Sequence, residues 1–231
     1  MAAKNSLKVY SENSYYHLYN RGVEKRLIFQ DEQDYSVFLS YLKTYLTPKE
    51  KDDLLRLLSK PGLASREKDK ILKELRLNNF SGEIKLLAYS LMPNHFHLLV
   101  KQKSANSIDR FMNSLGVRYA MFFNRKYKRV GSLCQDVYKA VLVESEPQLL
   151  YLTKYIHRNC LEVLASQEDV LRAYYAQPSS YPDYLGLRKT EWIYPEEILA
   201  FFSKTNPRLS YKSFVEETGD ILIEEKIAID L

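Results

Sequence analysis

A strand-turn-strand segment at residues 84–100 limits the fold of this 231-residue chain more than any other feature. Residues 84–91 (IKLLAYSL) are almost continuously apolar, which predicts a buried strand, and residues 92–94 (MPN) predict a turn. Residues 95–100 (HFHLLV) predict a second strand that returns beside the first. We therefore expect a β-hairpin within an antiparallel sheet.

The elements around this hairpin predict the fold class. Further strands are expected at residues 15–19 and 138–143, and helices at residues 31–45, 107–122 and 147–165, with Asp31 and Ser107 as N-caps of the first two. The order strand, helix, strand, strand, helix, strand, followed by one more helix, is typical of the split βαββαβ pattern. We expect an α+β, ferredoxin-like (RRM-like) antiparallel sheet with helices on one face.

Composition suggests how the chain is divided. Residues 1–165 are expected to form the main domain, with a Lys-rich helical insertion at about 47–80, and residues 166–231 a mostly helical C-terminal extension.

No apolar run approaches the roughly 20 residues of a membrane span, and the first residues are too polar for a signal peptide. Two cysteines, Cys134 and Cys160, provide neither a disulfide framework nor a cysteine metal cluster. We expect a cytoplasmic protein without a membrane partner.

Charge is distributed unevenly along the sequence. The net charge is +5, but residues 101–130 hold eight basic residues and one acid, whereas residues 190–231 hold nine acids and four bases. A basic middle and 19 tyrosines fit a nucleic-acid-binding protein, in which cations meet phosphates and rings stack on bases. The same composition also fits an ordinary protein that packs its tyrosines at half-buried positions.

The segment His95-Phe96-His97 is the strongest chemical signal. Side chains alternate across a strand, so His95 and His97 share one face while Phe96 points to the other. Two histidines at this spacing can bind one metal ion. The alternative is a pair of surface histidines on a half-exposed strand.

The helix after the last strand offers two further groups. Tyr155 and Asn159 lie one turn apart, beside a stripe of apolar residues, so both can face the same object. A helix that crosses the open sheet face would bring them toward His95 and His97. The alternative is that Tyr155 is a boundary tyrosine and Asn159 a polar surface residue.

These motifs resemble a known family. Residues 92–100 (MPNHFHLLV) and 155–159 (YIHRN) are similar to motifs of the single-tyrosine HUH (IS200-like) transposases, and in particular of their REP-associated branch. Three other segments also fit: 16–22 (YHLYNRG), 131–135 (GSLCQ) and 180–187 (SYPDYLGL). The resemblance spans roughly residues 14–190 apart from the insertion. Cys160 departs from it, since the family usually has proline there.

The resemblance implies a function and a set of roles. His95, His97 and Asn159 would bind Mg²⁺ or Mn²⁺, and Tyr155 would be the nucleophile. Attack on DNA would leave a 5′-phosphotyrosine and a free 3′-OH without ATP. The implied activity is that of a metal-dependent single-strand DNA endonuclease and strand transferase, a transposase.

Auxiliary residues and partners complete the expectation. His17 is a candidate for proton transfer, although a structural role is the competing interpretation, and His157 is assigned no role. The partner is expected to be single-stranded or hairpin-flanking DNA, bound by a monomer or homodimer. The residues expected to contact the DNA are Arg21, Lys25, Arg26, Arg110, Arg118, Arg125, Lys126, Lys128 and Arg129. For the first three, which follow the first strand, a solvated turn is the competing interpretation.

Two other functions are compatible with the same residues. One is a nucleic-acid-binding protein without catalysis, a domesticated relative that acts as a repressor or RNA binder. Its binding would be sensitive to salt but indifferent to EDTA. The other is a metal-dependent hydrolase that activates water with His95 and His97 and does not need Tyr155.

Overall fold

The computed structural model describes residues 10–164 and 178–217, and an antiparallel sheet lies at its centre. Within these residues the strands are β1 (Tyr15–Arg21), β2 (Ile84–Met92), β3 (His95–Gln102) and β4 (Lys139–Val143). They pair in the order β2-β3-β1-β4, and every pair is antiparallel. The expected α+β class with an antiparallel sheet is confirmed.

Five longer helices and several short ones accompany the sheet in the described residues. They are α1 (Glu32–Leu46), α2 (Lys51–Leu58), α3 (Ser65–Arg76), α4 (Ser107–Lys126), α5 (Glu146–Leu164), α6 (Tyr181–Tyr184), α7 (Glu196–Leu199) and α8 (Tyr211–Glu216). None of these helices has the length and apolar content that crossing a membrane requires.

The two predicted N-caps have different outcomes. The Asp31 side chain accepts a hydrogen bond from the Asp34 amide and caps α1, as expected. Ser107 is not a cap, because Asn106 occupies the N-cap position and Ser107 is the first residue of α4. The buried Ser107 hydroxyl donates instead to the Glu83 carboxylate at 2.9 Å, which draws it away from the helix amides.

Helices cover both faces of the sheet. On one face, Phe38 of α1 packs against Phe96 of β3 with ring centroids 5.2 Å apart, in a core that also includes α4. On the other face, Ile156 of α5 belongs to a second core with Leu87 and Leu99. The two helices of the split pattern, α1 and α4, thus share one face as expected, and α5 covers the opposite face, as the helix expected to cross the open sheet face does. Coverage on both faces explains why β2 reads as an apolar run.

The segment 178–217 binds the outer edge of β2. The Leu91 amide donates to the Pro178 carbonyl, the Ser180 amide to the Tyr89 carbonyl and the Tyr194 amide to the Leu86 carbonyl. Three short α-helices and one 3-10 helix, Pro207–Leu209, lie in this segment. The expected domain boundary near residue 165 falls outside the described residues and stays a prediction.

The insertion forms two helices, α2 and α3, that contribute no residue to the hydrophobic core. No residue of α2 or α3 is buried, as expected for solvated helices. The Lys49 ammonium donates to the Glu74 and Leu77 carbonyls, and so satisfies the C-terminal end of α3.

Candidate active site

One end of the sheet gathers several polar side chains on the face that α5 covers. In the β1-β3 register, Arg21 lies opposite His95 and Tyr19 lies opposite His97. Directly opposed residues of paired strands point to the same face, and so do residues two apart on one strand. His17, two residues before Tyr19, therefore joins this group, whereas Phe96 points into the α1 core.

The His95 imidazole is held by the residue before it. Its Nδ1 lies 2.6 Å from the Asn94 side-chain oxygen, and the Asn94 amide nitrogen donates to the Lys25 carbonyl. Because the amide oxygen can only accept, Nδ1 of His95 carries the proton and Nε2 has a free lone pair. Burial and the positive charge of Arg21 lower the pKa of His95 to about 4.

The His97 imidazole pairs with His17. Its Nδ1 lies 2.8 Å from Nε2 of His17, and both side chains are buried. Burial lowers the pKa of His17 to about 3, and burial together with its two histidine neighbours lowers the pKa of His97 well below its usual value. All three imidazoles are therefore uncharged at neutral pH, which is the form that binds metals.

The donor atoms fit a divalent metal ion. Nε2 of His95 and Nε2 of His97 are both buried, and neither has a hydrogen-bond partner among the described residues. The two rings lie 5.0 Å apart. In the described part of the chain no three histidine, cysteine or acidic side chains converge to hold a metal, so further protein ligands would be of another kind. Imidazole nitrogen supplemented by an amide oxygen suits Mn²⁺ better than Mg²⁺.

Tyr155 lies directly over this histidine cluster. Its ring centroid is 5.4 Å from that of His97 and 6.4 Å from that of His17, in edge-to-face arrangements. The packing of α5 places Tyr155 here, because Leu152 and Ile156, which flank it on the helix, are buried in the core between the helix and the sheet. The structure thus brings Tyr155 to the two histidines, as the crossing helix required.

Asn159 lies one turn after Tyr155 on α5. Its side-chain nitrogen donates to the Tyr155 carbonyl at 3.0 Å, within the helix. Its role as a third metal ligand stays a prediction.

Comparison with known families bears on this site. The model of the family described as "Transposase IS200 like" matches residues 62–159, a range that contains His95, His97, Tyr155 and Asn159. Over these residues the chain is similar to the IS200-like transposases.

Solved structures and curated proteins do not extend this similarity. A REP-associated tyrosine transposase bound to a REP hairpin aligns over 89% of this chain and 96% of its own, with 10% identity and a TM-score of 0.44. A proposed transposase from Deinococcus radiodurans R1 aligns over 67% of this chain and 96% of its own, with 17% identity and a TM-score of 0.35. Likeness at this level is too low to transfer a function. No curated protein matches the sequence.

Basic residues at the end of β1 border the histidine cluster. Arg21 points to the same face as His95, and its buried Nε has no hydrogen-bond partner among the described residues. Lys25 is exposed, and Arg26 forms an ion pair with Glu24 at 3.3 Å. Arg21, Lys25 and Arg26 thus place positive charge next to the histidine cluster.

Two of the arginines expected to bind DNA lie on the other side of the sheet. Arg110 and Arg118 belong to α4, which covers the face opposite to the histidines. The Arg118 guanidinium stacks on Tyr41 at 3.9 Å, and Arg110 lies 5.8 Å from the Phe80 ring. The structure does not bring these two residues to the histidine cluster.

The four basic residues between positions 125 and 129 have different environments. Lys126 forms ion pairs with Asp31 at 2.6 Å and with the fully buried Asp34 at 2.8 Å, so it links α4 to α1. Arg129 donates to the Asn124 side chain. Arg125 and Lys128 are exposed at the end of α4.

Sequence reasoning missed the part played by His157. This imidazole is completely buried, with Nδ1 2.7 Å from the Tyr211 hydroxyl and Nε2 2.8 Å from the Ser180 hydroxyl. It therefore attaches α5 to the segment 178–217. No local signal could reveal this, since both partners are distant in sequence. Asn94 was also missed, although its place directly before His95 was a usable signal.

Proposed function

We propose that the protein is a metal-dependent single-strand DNA endonuclease and strand transferase that attaches DNA to Tyr155. The observation that supports this most is the position of the Tyr155 ring, 5.4 Å from His97, above two imidazoles whose free Nε2 atoms are buried. A phenol and two unprotonated imidazole nitrogens are the groups that a tyrosine nuclease needs in one place.

The metal site of this proposal consists of His95, His97 and Asn159. When bound there, Mn²⁺ or Mg²⁺ supplies positive charge that offsets the charge of the phosphodiester in the transition state. The chain itself holds the two imidazoles uncharged by burying them, so neither proton nor charge competes with the cation at neutral pH.

The covalent step is a transesterification on phosphorus. The Tyr155 oxygen forms a bond to the phosphorus, the bond between phosphorus and the 3′-oxygen breaks, and the phenol proton passes to water while the 3′-oxygen takes up a proton. The products are a 5′-phosphotyrosine and a free 3′-OH. The number of phosphoester bonds is unchanged, so attack by a 3′-OH reverses the step without ATP.

The DNA would enter along the basic border of the site. Arg21, Lys25 and Arg26 lie at the end of β1 beside His95, where they would contact phosphates flanking the scissile one. A half-buried nucleophile that packs against a sheet reaches a phosphate more readily in a flexible single strand than in a duplex. Single-stranded or hairpin-flanking DNA is therefore the proposed substrate.

The proposal is tested by trapping the covalent adduct. The protein is incubated with Mn²⁺ and a library of hairpin-containing single-stranded DNA, and adducts are resolved on denaturing gels. Wild-type protein is expected to give an adduct that EDTA prevents, and Tyr155→Phe is expected to reduce it at least 1000-fold, as removal of a nucleophile does. The matched control is Tyr151→Phe, one turn earlier on α5 and partly exposed, which should leave the adduct unchanged.

The outcomes separate the alternatives. An adduct that survives Tyr155→Phe, or none across the library, contradicts the proposal. Salt-sensitive binding without any adduct, indifferent to EDTA, would identify a non-catalytic nucleic-acid-binding protein. Cleavage that continues in Tyr155→Phe would identify a hydrolase.

A further inference from the structure

We propose that Asn94 and His17 are positioning residues that fix the tautomers of His95 and His97, so that both histidines present Nε2 to the same metal ion. This inference rests on the proposed function, because it assumes that His95 and His97 are the ligands. It adds two residues that bind no metal themselves but decide which nitrogen of each ligand is free.

Asn94 is held rigidly in the β2-β3 turn. Its carbonyl accepts from the Gly22 amide at 2.8 Å, and the preceding Pro93 carbonyl accepts from the Ile28 and Phe29 amides at 2.8 and 3.0 Å. The side-chain nitrogen of Asn94 is used for the Lys25 carbonyl, which leaves the side-chain oxygen for His95. The turn, the β1 end and the following loop thus fix the orientation of this amide.

The amide oxygen then determines the tautomer of His95. An amide oxygen accepts and cannot donate, so a 2.6 Å contact with it requires the proton on Nδ1 of His95. The neutral ring has only one proton, and Nε2 is left with a lone pair. This is the nitrogen that is buried without a hydrogen-bond partner in the described residues.

His17 fixes the tautomer of His97, as Asn94 fixes that of His95. The contact between Nε2 of His17 and Nδ1 of His97 admits two directions. If His97 donates, its Nε2 has a lone pair ready for a metal. If His17 donates, the proton of His97 sits on Nε2, a buried N–H for which the described residues offer no acceptor. Since an unpaired buried donor is costly, the first direction is favoured.

Ring stacking keeps His17 in this position. Its ring stacks on Tyr19 at 4.7 Å and lies edge to edge with His97, with ring centroids 5.0 Å apart, and only 3% of the residue is exposed. His17 is therefore placed to accept from His97, and such a hydrogen bond to the remote nitrogen of a ligand fixes its ring and raises its basicity. The two ligands would thus be oriented by two different acceptors, an amide and an imidazole.

The first test reads the tautomers directly in the metal-free wild-type protein. Long-range ¹H–¹⁵N NMR spectra of histidine rings distinguish a protonated Nδ1 from a protonated Nε2. We expect His95 and His97 both to carry the proton on Nδ1 at pH 7. A proton on Nε2 of either ring would overturn the proposal for that ring. This test needs neither a variant nor DNA.

The second test measures Mn²⁺ affinity, with free Mn²⁺ counted by electron paramagnetic resonance in the absence of DNA. Asn94→Ala and His17→Leu remove the acceptors and are expected to weaken binding about 10- to 100-fold. Asn94→Asp and His17→Gln keep an acceptor and should stay within a few-fold of wild type. The control is Asn78→Ala, an exposed asparagine that hydrogen-bonds to Ser114 far from the site.

The outcomes distinguish this inference from the proposed function. If His95→Ala and His97→Ala do not change Mn²⁺ affinity, the metal site itself is wrong. If these two abolish binding while Asn94→Ala and His17→Leu leave it at the wild-type value, the ligands are right and the positioning role is wrong. Equal losses in Asn94→Ala and Asn94→Asp would also contradict the positioning role.

Discussion

Glu197 connects the segment 178–217 to the sheet through one carboxylate. It accepts hydrogen bonds from the Tyr15 hydroxyl at 2.5 Å, from Lys101 at 2.9 Å and from Lys85 at 3.2 Å, and so reaches three strands. Burial alone would raise the pKa of Glu197, but these three donors outweigh it and lower the pKa to about 2. The charged form is therefore favoured by folding.

This lowered pKa predicts a pH-dependent stability. Because the unfolded chain takes up the proton first, near the ordinary glutamate pKa of about 4.5, the contribution of Glu197 is complete above that pH and is lost as the pH falls toward 2. Glu197→Gln is expected to lower the free energy of unfolding by about 1–2 kcal/mol at pH 7, after solvent screening of a partly exposed group.

The measurement is urea unfolding at pH 7, 4.5 and 3, followed by the fluorescence of Trp192, the single tryptophan. The gap between wild type and Glu197→Gln should narrow at the lowest pH. Glu196→Gln, an exposed neighbour on α7, is the control and should match wild type. A gap that is the same at all three pH values would refute the ionic origin.

Single residues were predictable from sequence where their environment is local. Strand alternation alone put His95 and His97 on one face and Phe96 on the other, and both features are confirmed. The contact between His17 and His97 was not predictable, because it depends on the β1-β3 register and joins residues 80 positions apart. The ion pair of Lys126 with Asp34, 92 positions away, was not predictable for the same reason.

At the scale of elements, α2 and α3 stand apart from the rest of the fold. The residues that flank them are already close, because the Phe80 amide donates to the Tyr45 carbonyl at 2.7 Å and the Asn79 side chain donates to the Thr47 carbonyl at 2.7 Å. The two helices contribute no buried residue. The chain can therefore leave and re-enter the domain at one point.

We expect the insertion to be removable. Replacement of residues 49–77 by a four-residue Gly-Ser linker should leave the melting temperature within about 5 °C of wild type, because surface segments contribute little to stability. Thermal unfolding followed by circular dichroism measures this. A variant without a cooperative transition would show that α2 and α3 support the core after all. Adduct formation by the shortened protein shows separately whether these helices bind DNA.

Local periodicity also explains which elements were predictable. The hairpin, α1 and the solvated insertion follow from patterns within single segments and are confirmed. The face that each helix covers depends on pairing between distant segments, which periodicity does not contain. Arg110 and Arg118 were expected to contact DNA because they lie in a basic segment, but charge does not indicate the face, and α4 places both on the side of the sheet opposite to the histidines.

For the molecule as a whole, the tyrosine and the histidines come from the same chain. Tyr155 packs on its own His97, and α5 is fixed by its own sheet and, through His157, by Ser180 and Tyr211. A helix anchored on both sides is not free to serve a second copy. We therefore expect each molecule to assemble its own active site.

Mixing two inactive variants tests this expectation. Tyr155→Phe retains the histidines, and His97→Ala retains the tyrosine, so an active site shared between copies would be restored at one of the two sites of every mixed pair. We expect no adduct from the mixture under conditions in which wild type reacts fully. Recovery of an adduct would demonstrate exchange of α5 between copies.

The strap of residues 178–217 along β2 also affects solubility. An open sheet edge offers unpaired backbone groups to any other extended chain and is a starting point for aggregation. Backbone bonds from Pro178, Ser180 and Tyr194 occupy that edge of β2. In the described residues the other edge is β4, which has only five residues and begins with the exposed Lys139. A short strand bearing a cation resists edge-to-edge pairing, so loss of the strap would turn the edge of β2 into a template for fibrous growth.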